Sequence, residues 1–153
     1  FLYYPIDAIP PYKSVVLIDA FGSEPGLINW AQFYASHGYI AMSIGNLDET
    51  LRDSNSDWDY MDRAIALLSA IETVKSENAR QTSPLFNMID TSSFAVSGYS
   101  TSGGGAHTAL TIDSSLKTGI LLNPAVAFLD SVNSFAILAK INEALSCSWS
   151  TSS

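Results

Sequence analysis

The sequence is poor in cysteine, in basic residues and in long apolar runs, and each shortage excludes a class of protein. Cys147 is the only cysteine in 153 residues, so no internal disulfide can form. No apolar run approaches the roughly 18 residues that a membrane-spanning helix needs. Seven Lys and Arg stand against fifteen Asp and Glu, a net charge of -8. This balance argues against sequence-independent nucleic-acid binding and against an anionic membrane surface as partner.

The chain also shows no targeting segment and no metal-binding pattern. It opens Phe1-Leu2-Tyr3-Tyr4-Pro5, without a basic n-region, an apolar h-region or an initiator Met, which suggests a processed or incomplete chain. No group of His, Cys and carboxylate residues has metal-ligand spacing. The sequence therefore predicts neither a metal nor an organic cofactor, and it leaves the oligomeric state open.

What the chain does contain is enough apolar material for one folded unit. Hydrophobic residues make up 47% of the chain and the mean hydropathy is +0.17, which excludes a disordered protein. Short apolar runs predict buried strands at 14–18, 39–44, 94–96 and 119–122, and amphipathic segments predict helices at 27–37, from 56 onwards, at 101–112 and at 136–145. Strands that alternate with helices imply an α/β fold with a parallel sheet. We expect residues 1–153 to form a single, partial domain.

The second of these helices has a predicted cap and a predicted inner face. Ser56 is expected to cap its N-terminus, and residues 76–92 are expected to be turn-rich. The residues at helical spacing that are expected to face the core are Trp58, Met61, Ile65, Leu68 and Ile71.

One serine lies in a context typical of nucleophilic catalysis. The stretch Ser97-Gly98-Tyr99-Ser100-Thr101-Ser102-Gly103-Gly104-Gly105 joins a predicted strand to a predicted helix. A Gly two residues before a Ser and a Gly-rich helix start are features of a nucleophile elbow, in which a strained turn exposes the serine hydroxyl. The helix N-terminus adds backbone N–H groups suited to a developing oxyanion. The pattern predicts Ser100 as the nucleophile.

Two other interpretations of this stretch compete. The usual pattern is Gly-x-Ser-x-Gly, and Ser102 stands at the position of the last Gly, where it is a competing nucleophile. Only Ser100 sits where the strand ends and the turn begins. The other interpretation is a phosphate-binding Gly-rich loop, but the stretch lacks the Lys of a P-loop.

Further motifs accompany the elbow in a fixed order along the chain. They are Tyr3-Tyr4-Pro5, Asp19-Ala20-Phe21-Gly22, Ala35-Ser36-His37-Gly38-Tyr39, Ser83-Pro84-Leu85-Phe86, Ile89-Asp90-Thr91 and Ser115-Leu116-Lys117. With the elbow, they resemble the bacterial cutinase and polyester-hydrolase branch of the α/β-hydrolases, which includes enzymes acting on poly(ethylene terephthalate). The resemblance runs from Tyr3 to about Pro124. It implies an α/β-hydrolase fold, hydrolysis of short to medium acyl esters or polyesters, and secretion.

The resemblance also implies roles for individual residues. Ser100 would attack the ester carbonyl and form an acyl-enzyme. The backbone N–H groups of Phe21 and Thr101 would form the oxyanion hole. Phe21 and Tyr99 would line the substrate cleft with aromatic surface. The chain departs from the family at Thr101, where Met is usual, and at Ala125, where Trp is usual, and both changes shrink or polarise the cleft.

The partners of the nucleophile are missing from the pattern. The expected order is Ser, then Asp or Glu, then His, and the only histidine after Ser100 is His107. His107 and His37 are both expected to be structural or surface residues. Asp113, Asp130 and Glu143 follow the nucleophile, but none has a recognisable strand-end context.

Three explanations for the missing partners remain open. The chain is expected to be a fragment of a longer hydrolase, since the family domain is roughly 250 residues, within the range of single α/β domains. Alternatively, its tail departs from the family after about Asn133, or the protein is an ester-binding module without the catalytic His. A lipase or carboxylesterase acting on small esters is the alternative among enzymes.

Overall fold

The computed structural model describes residues 1–20, 27–45 and 60–125. In chain order, the helices and strands of this part are β1 (Leu2–Tyr3), β2 (Tyr12–Ile18), α1 (Ile28–Ser36), β3 (Ile40–Ile44), α2 (Tyr60–Ala79), β4 (Ile89–Tyr99), α3 (Thr101–Ile112) and β5 (Thr118–Leu122). Within these ranges no helix is both long enough and apolar enough to cross a bilayer.

The strands form one mostly parallel sheet in the order β1-β3-β2-β4-β5. The pairs β3–β2, β2–β4 and β4–β5 are parallel, and only the short β1 pairs antiparallel with β3. The four predicted strands are therefore parallel neighbours, which confirms the predicted α/β class. The sheet order brings the carboxyl ends of β2, β4 and β5 side by side.

Helices cover both faces of the sheet, so the central strand β2 is buried on both sides. Val16 and Ile18 point to the face that carries α2 and α3, whereas Val15 and Leu17 point to the face that carries α1. Alternation of side chains along a strand produces this division, and burial on both faces explains the continuous apolar run in the sequence.

The inner face of α2 differs from the predicted one. Its buried residues are Ala64, Leu67, Ala70, Ile71 and Val74. Of the four stripe residues that the structure describes, only Ile71 is buried; Leu68 is partly buried, and Met61 and Ile65 are about half exposed, at 49% and 51%. The physical reason is that α2 packs closely against the glycine-rich α3, and close approach favours alanine over larger apolar side chains.

Two element boundaries also differ from expectation. Helix α2 continues to Ala79 and strand β4 starts at Ile89, so the turn-rich segment is shorter than predicted. The backbone N–H of Ile89 donates to the Asn78 side-chain oxygen at 3.0 Å, which ties the end of α2 to the start of β4. The predicted cap Ser56, Trp58 and the predicted helix at 136–145 lie outside the described residues.

Candidate active site

The candidate site lies at the carboxyl edge of the sheet, where open α/β sheets bind ligands. Ile18 of β2 pairs with Gly98 of β4, and Gly98 pairs with Leu121 of β5. The residues that follow these strands, Asp19 and Ser100 among them, consequently emerge at the same edge.

Ser100 forms a sharp turn between β4 and α3. Its backbone has φ 53° and ψ -118°, a positive φ that costs a non-glycine residue free energy. Two hydrogen bonds hold the turn to the end of β5 and to the segment that follows it: the Ser100 N–H donates to the Leu122 carbonyl at 2.9 Å, and the Ala125 N–H donates to the Ser100 carbonyl at 2.9 Å. The Gly103 N–H donates to the same Ser100 carbonyl at 2.9 Å. The surrounding backbone therefore maintains the strained conformation that a nucleophile elbow requires.

Two glycines allow α3 to pack closely against β4 and against the segment that follows β5. A Cβ atom at Gly98 would lie 2.0 Å from the carbonyl oxygen of Ser102, and a Cβ at Gly103 would lie 2.8 Å from Pro124 Cα. The sequence pattern predicts that position 102 requires a small residue. The role of Gly103 was missed, although the run of three glycines was a visible signal.

Ser102 is fully buried, with no exposed surface. Its hydroxyl donates to the backbone carbonyl of Asp19 at 2.5 Å and accepts a hydrogen bond from the Arg63 guanidinium at 2.7 Å. A buried hydroxyl that is engaged on both sides is poorly placed to attack a substrate. The network with Arg63 and Asp19 was not predictable from the spacing of residues that lie 39 and 83 positions away.

Two of the other predicted site residues, Thr101 and Tyr99, directly flank Ser100 in the same turn. Thr101 is the first residue of α3, so its N–H has no acceptor within the helix. Its side chain is 4% exposed, and the hydroxyl has no hydrogen-bond partner in the described part of the chain. Tyr99, at the end of β4, is 43% exposed and available for contact with a ligand. Phe21 lies outside the described residues.

Neither histidine of the chain lies beside Ser100. His37 follows the C-terminus of α1, at the opposite edge of the sheet, and its ring stacks near Phe33 with a centroid distance of 4.2 Å. His107 lies two turns along α3, about 10 Å from Ser100 at the usual helical rise. It is 4% exposed, neither ring nitrogen has a partner among the described residues, and burial lowers its pKa.

Of the three acidic candidates, one lies far from Ser100 and two lie outside the described residues. Asp113 caps the C-terminal end of α3, the end opposite Ser100, where its carboxylate accepts the Ser115 N–H at 2.8 Å. Asp130 and Glu143 lie outside the described residues. Ser100 thus lies at the N-terminus of α3, and neither histidine nor Asp113 lies beside it.

A mostly parallel sheet, with a serine at positive φ between a strand and a glycine-rich helix, defines an α/β-hydrolase. The family comparison narrows this class. A model described as "PETase: PET hydrolase-like" matches residues 1–138, and the chain belongs to this family. Membership makes it a hydrolase of the α/β-hydrolase type, in a family whose members are typically secreted. No curated protein matches the chain.

Proposed function

We propose that the protein is a secreted serine ester hydrolase of the cutinase and polyesterase type, with Ser100 as its nucleophile. The observation that carries the proposal is the backbone of Ser100, held at φ 53° at the carboxyl edge of the sheet in a chain of the PET hydrolase-like family. Strain of this kind is maintained only where surrounding contacts impose it, and it concentrates at active sites.

In the proposed reaction, the Ser100 oxygen attacks the carbonyl carbon of an ester while its proton passes to a base. The tetrahedral intermediate collapses with release of the alcohol, which takes up a proton, and leaves an acyl group on Ser100. Water then attacks the acyl-enzyme, releases the acid and restores the serine.

The oxyanion of the intermediate would be stabilised by two backbone N–H groups. One belongs to Thr101, at the N-terminus of α3, where the helix dipole also favours negative charge. The other belongs to Phe21, by resemblance. Removing one donor from such a site typically lowers kcat by about 10²–10³-fold, so the pair supplies a major share of catalysis.

The residues on either side of Ser100 favour small or aliphatic acyl groups. Tyr99 offers exposed aromatic surface on one side of the turn. Ala125 contacts the turn through its backbone but supplies only a methyl group where the family usually has Trp. We therefore propose short to medium acyl esters and aliphatic polyesters as substrates, in preference to aromatic polyesters.

The second candidate function is ester binding without turnover. The observation in its favour is the distance of both histidines from Ser100. A serine hydroxyl without a base is almost wholly protonated at neutral pH and reacts slowly. By itself, the 153-residue chain is expected to accelerate hydrolysis by no more than about 10³–10⁴-fold over water.

Hydrolysis of p-nitrophenyl butyrate by the product of the complete reading frame containing this chain separates the two candidates. An enzyme should turn over the ester and lose activity in Ser100→Ala, by about 10⁴-fold or more. The matched control is Ser69→Ala, at an exposed position of α2, which should retain full activity. Circular dichroism spectra of both variants establish that they fold. If the wild-type protein binds the ester but does not hydrolyse it, the ester-binding module is the correct interpretation.

A further inference from the structure

The hydroxyl of Ser102 connects three segments that are far apart in sequence. Ser102 lies in the first turn of α3, Arg63 in α2 and Asp19 directly after β2. The guanidinium donates to the hydroxyl at 2.7 Å, and the hydroxyl donates to the Asp19 carbonyl at 2.5 Å. Because the donor is charged and the hydroxyl is fully buried, the two bonds polarise each other in a region of low dielectric constant.

The Asp19 carbonyl belongs to the peptide unit that enters the proposed oxyanion loop. The N–H of the same unit, carried by Ala20, donates to the Asp19 carboxylate at 2.7 Å. Both polar groups of the Asp19–Ala20 peptide are therefore engaged, and Ala20 is buried, at 2% exposure. The orientation of this peptide is fixed relative to α3, whose first turn also contains Thr101.

The next peptide unit along the chain joins Ala20 to Phe21, and its N–H is the second donor of the proposed oxyanion hole. Fixing one peptide restricts the following one, because only two backbone dihedrals separate them. The same side chain that fixes the peptide is two residues from Ser100. Ser102 thus ties the peptide unit that precedes Phe21 in the chain to the helix turn that contains Thr101.

We propose that Ser102 is a positioning residue, whose hydroxyl anchors the entry of the oxyanion loop to the nucleophile elbow and is itself oriented by Arg63. This inference rests on the proposed ester hydrolysis at Ser100. The proposal assigns a function to Ser102 at the position where the Gly-x-Ser-x-Gly pattern has its last glycine. A glycine there has no hydroxyl with which to make either bond.

The test compares Ser102→Ala with Ser97→Ala in the complete protein. Ser97 is a matched control because it is also fully buried and its hydroxyl also donates to a backbone carbonyl, that of Ile120, at 2.9 Å. The Ser97 bond joins β4 to β5 and does not touch the loop entry. Ser97→Ala removes one buried hydrogen bond and Ser102→Ala removes two, so both variants are expected to lose stability.

Only Ser102→Ala is expected to change catalysis. We expect kcat for p-nitrophenyl butyrate to fall about tenfold with KM nearly unchanged, less than the loss of a whole oxyanion donor. The affinity for phenylboronic acid, which mimics the tetrahedral intermediate, should fall in parallel. Amide hydrogen exchange of the peptide containing Ala20 should be faster in Ser102→Ala than in Ser97→Ala.

Arg63 provides an independent arm of the test. Arg63→Met keeps most of the alkyl stem and removes the donor, so a smaller drop in kcat is expected. Adding Arg63→Met to Ser102→Ala should cause little further loss, because the guanidinium acts through the hydroxyl.

The outcomes distinguish this inference from the function on which it rests. An active wild type with equal kcat in Ser102→Ala and Ser97→Ala, or with equal exchange at Ala20, refutes the positioning role alone. A wild type inert towards esters refutes the proposed function and the positioning role together. Additive losses in the double variant refute the part assigned to Arg63.

Discussion

Adding one methyl group at Gly98 is expected to displace the nucleophile elbow. In Gly98→Ala the new Cβ would lie 2.0 Å from the Ser102 carbonyl oxygen and 2.3 Å from its carbonyl carbon. The carbonyl oxygen must retreat to at least 3.4 Å, the start of ordinary van der Waals contact. These atoms belong to the backbone of α3 and cannot rotate away, so the first turn of the helix must move as a unit.

The expected cost follows from this geometry. Overpacking a core typically costs about 1–3 kcal/mol, and a clash between backbone and Cβ lies at the upper end, so we expect a loss of about 3 kcal/mol or more. A displacement of about 1 Å at a catalytic group can lower activity by about 10²-fold. Because Ser100 and Thr101 lie on the displaced turn, Gly98→Ala should lose both stability and ester hydrolysis.

Gly45, directly after strand β3 of the same sheet, supplies a matched control. A Cβ at Gly45 meets no atom of the described residues within 4 Å, so Gly45→Ala should raise the unfolding free energy by about 0.4–1 kcal/mol by restricting the unfolded chain. Urea unfolding followed by tryptophan fluorescence measures both free energies, and p-nitrophenyl butyrate measures activity. An unfolding free energy for Gly98→Ala within about 1 kcal/mol of wild type, with unchanged activity, would refute the reasoning.

Three further predictions concern strain, protonation and the core. Ser100→Gly should be about 1 kcal/mol more stable than Ser100→Ala in urea unfolding, since relief of positive φ exceeds the entropy cost of glycine; equal stabilities would exclude strain at the elbow. Burial lowers the pKa of His107 below 6.5, so the unfolded chain takes up a proton first as the pH falls. The unfolding free energy should therefore decline below about pH 6.5. Its dependence on pH should be weaker in His107→Gln than in wild type or in the control His37→Gln, and identical slopes in all three would contradict this. Leu67→Ala should lower the unfolding free energy by about 2–5 kcal/mol, whereas Ile65→Ala, at a half-exposed position, should lower it by under about 1 kcal/mol. The reverse order would support the inner face of α2 that the sequence predicts.

The fold class followed from local patterns, because the physical cause of each pattern is local. A strand buried on both faces needs a continuous apolar run, and β2 shows one. The junction of β4 with α3 requires a glycine, a tight turn and small residues in consecutive positions, so it was visible as a motif. Helix α3 begins and ends where the sequence predicted, at Thr101 and Ile112.

The inner face of α2 required knowledge of its neighbour. Hydrophobic periodicity favours the largest apolar side chains, which selected Met61 and Ile65. Gly104 and Gly105 of α3 leave room for Tyr60 and Arg63 at the start of α2, and the next residue, Ala64, is buried. Which face of an amphipathic helix is buried therefore depends on the shape of the surface that it meets.

The sequence by itself determined that a serine at position 100 ends a strand and starts a helix, since neighbouring residues produce that turn. Only the tertiary structure decided what surrounds it. Arg63, Ser102 and Asp19 come together because strand order places β2 beside β4 and α2 against α3, and no local spacing encodes that meeting. Likewise, helical rise alone gives the distance of His107 from Ser100, whereas the burial of its ring depends on how the helices pack against the sheet.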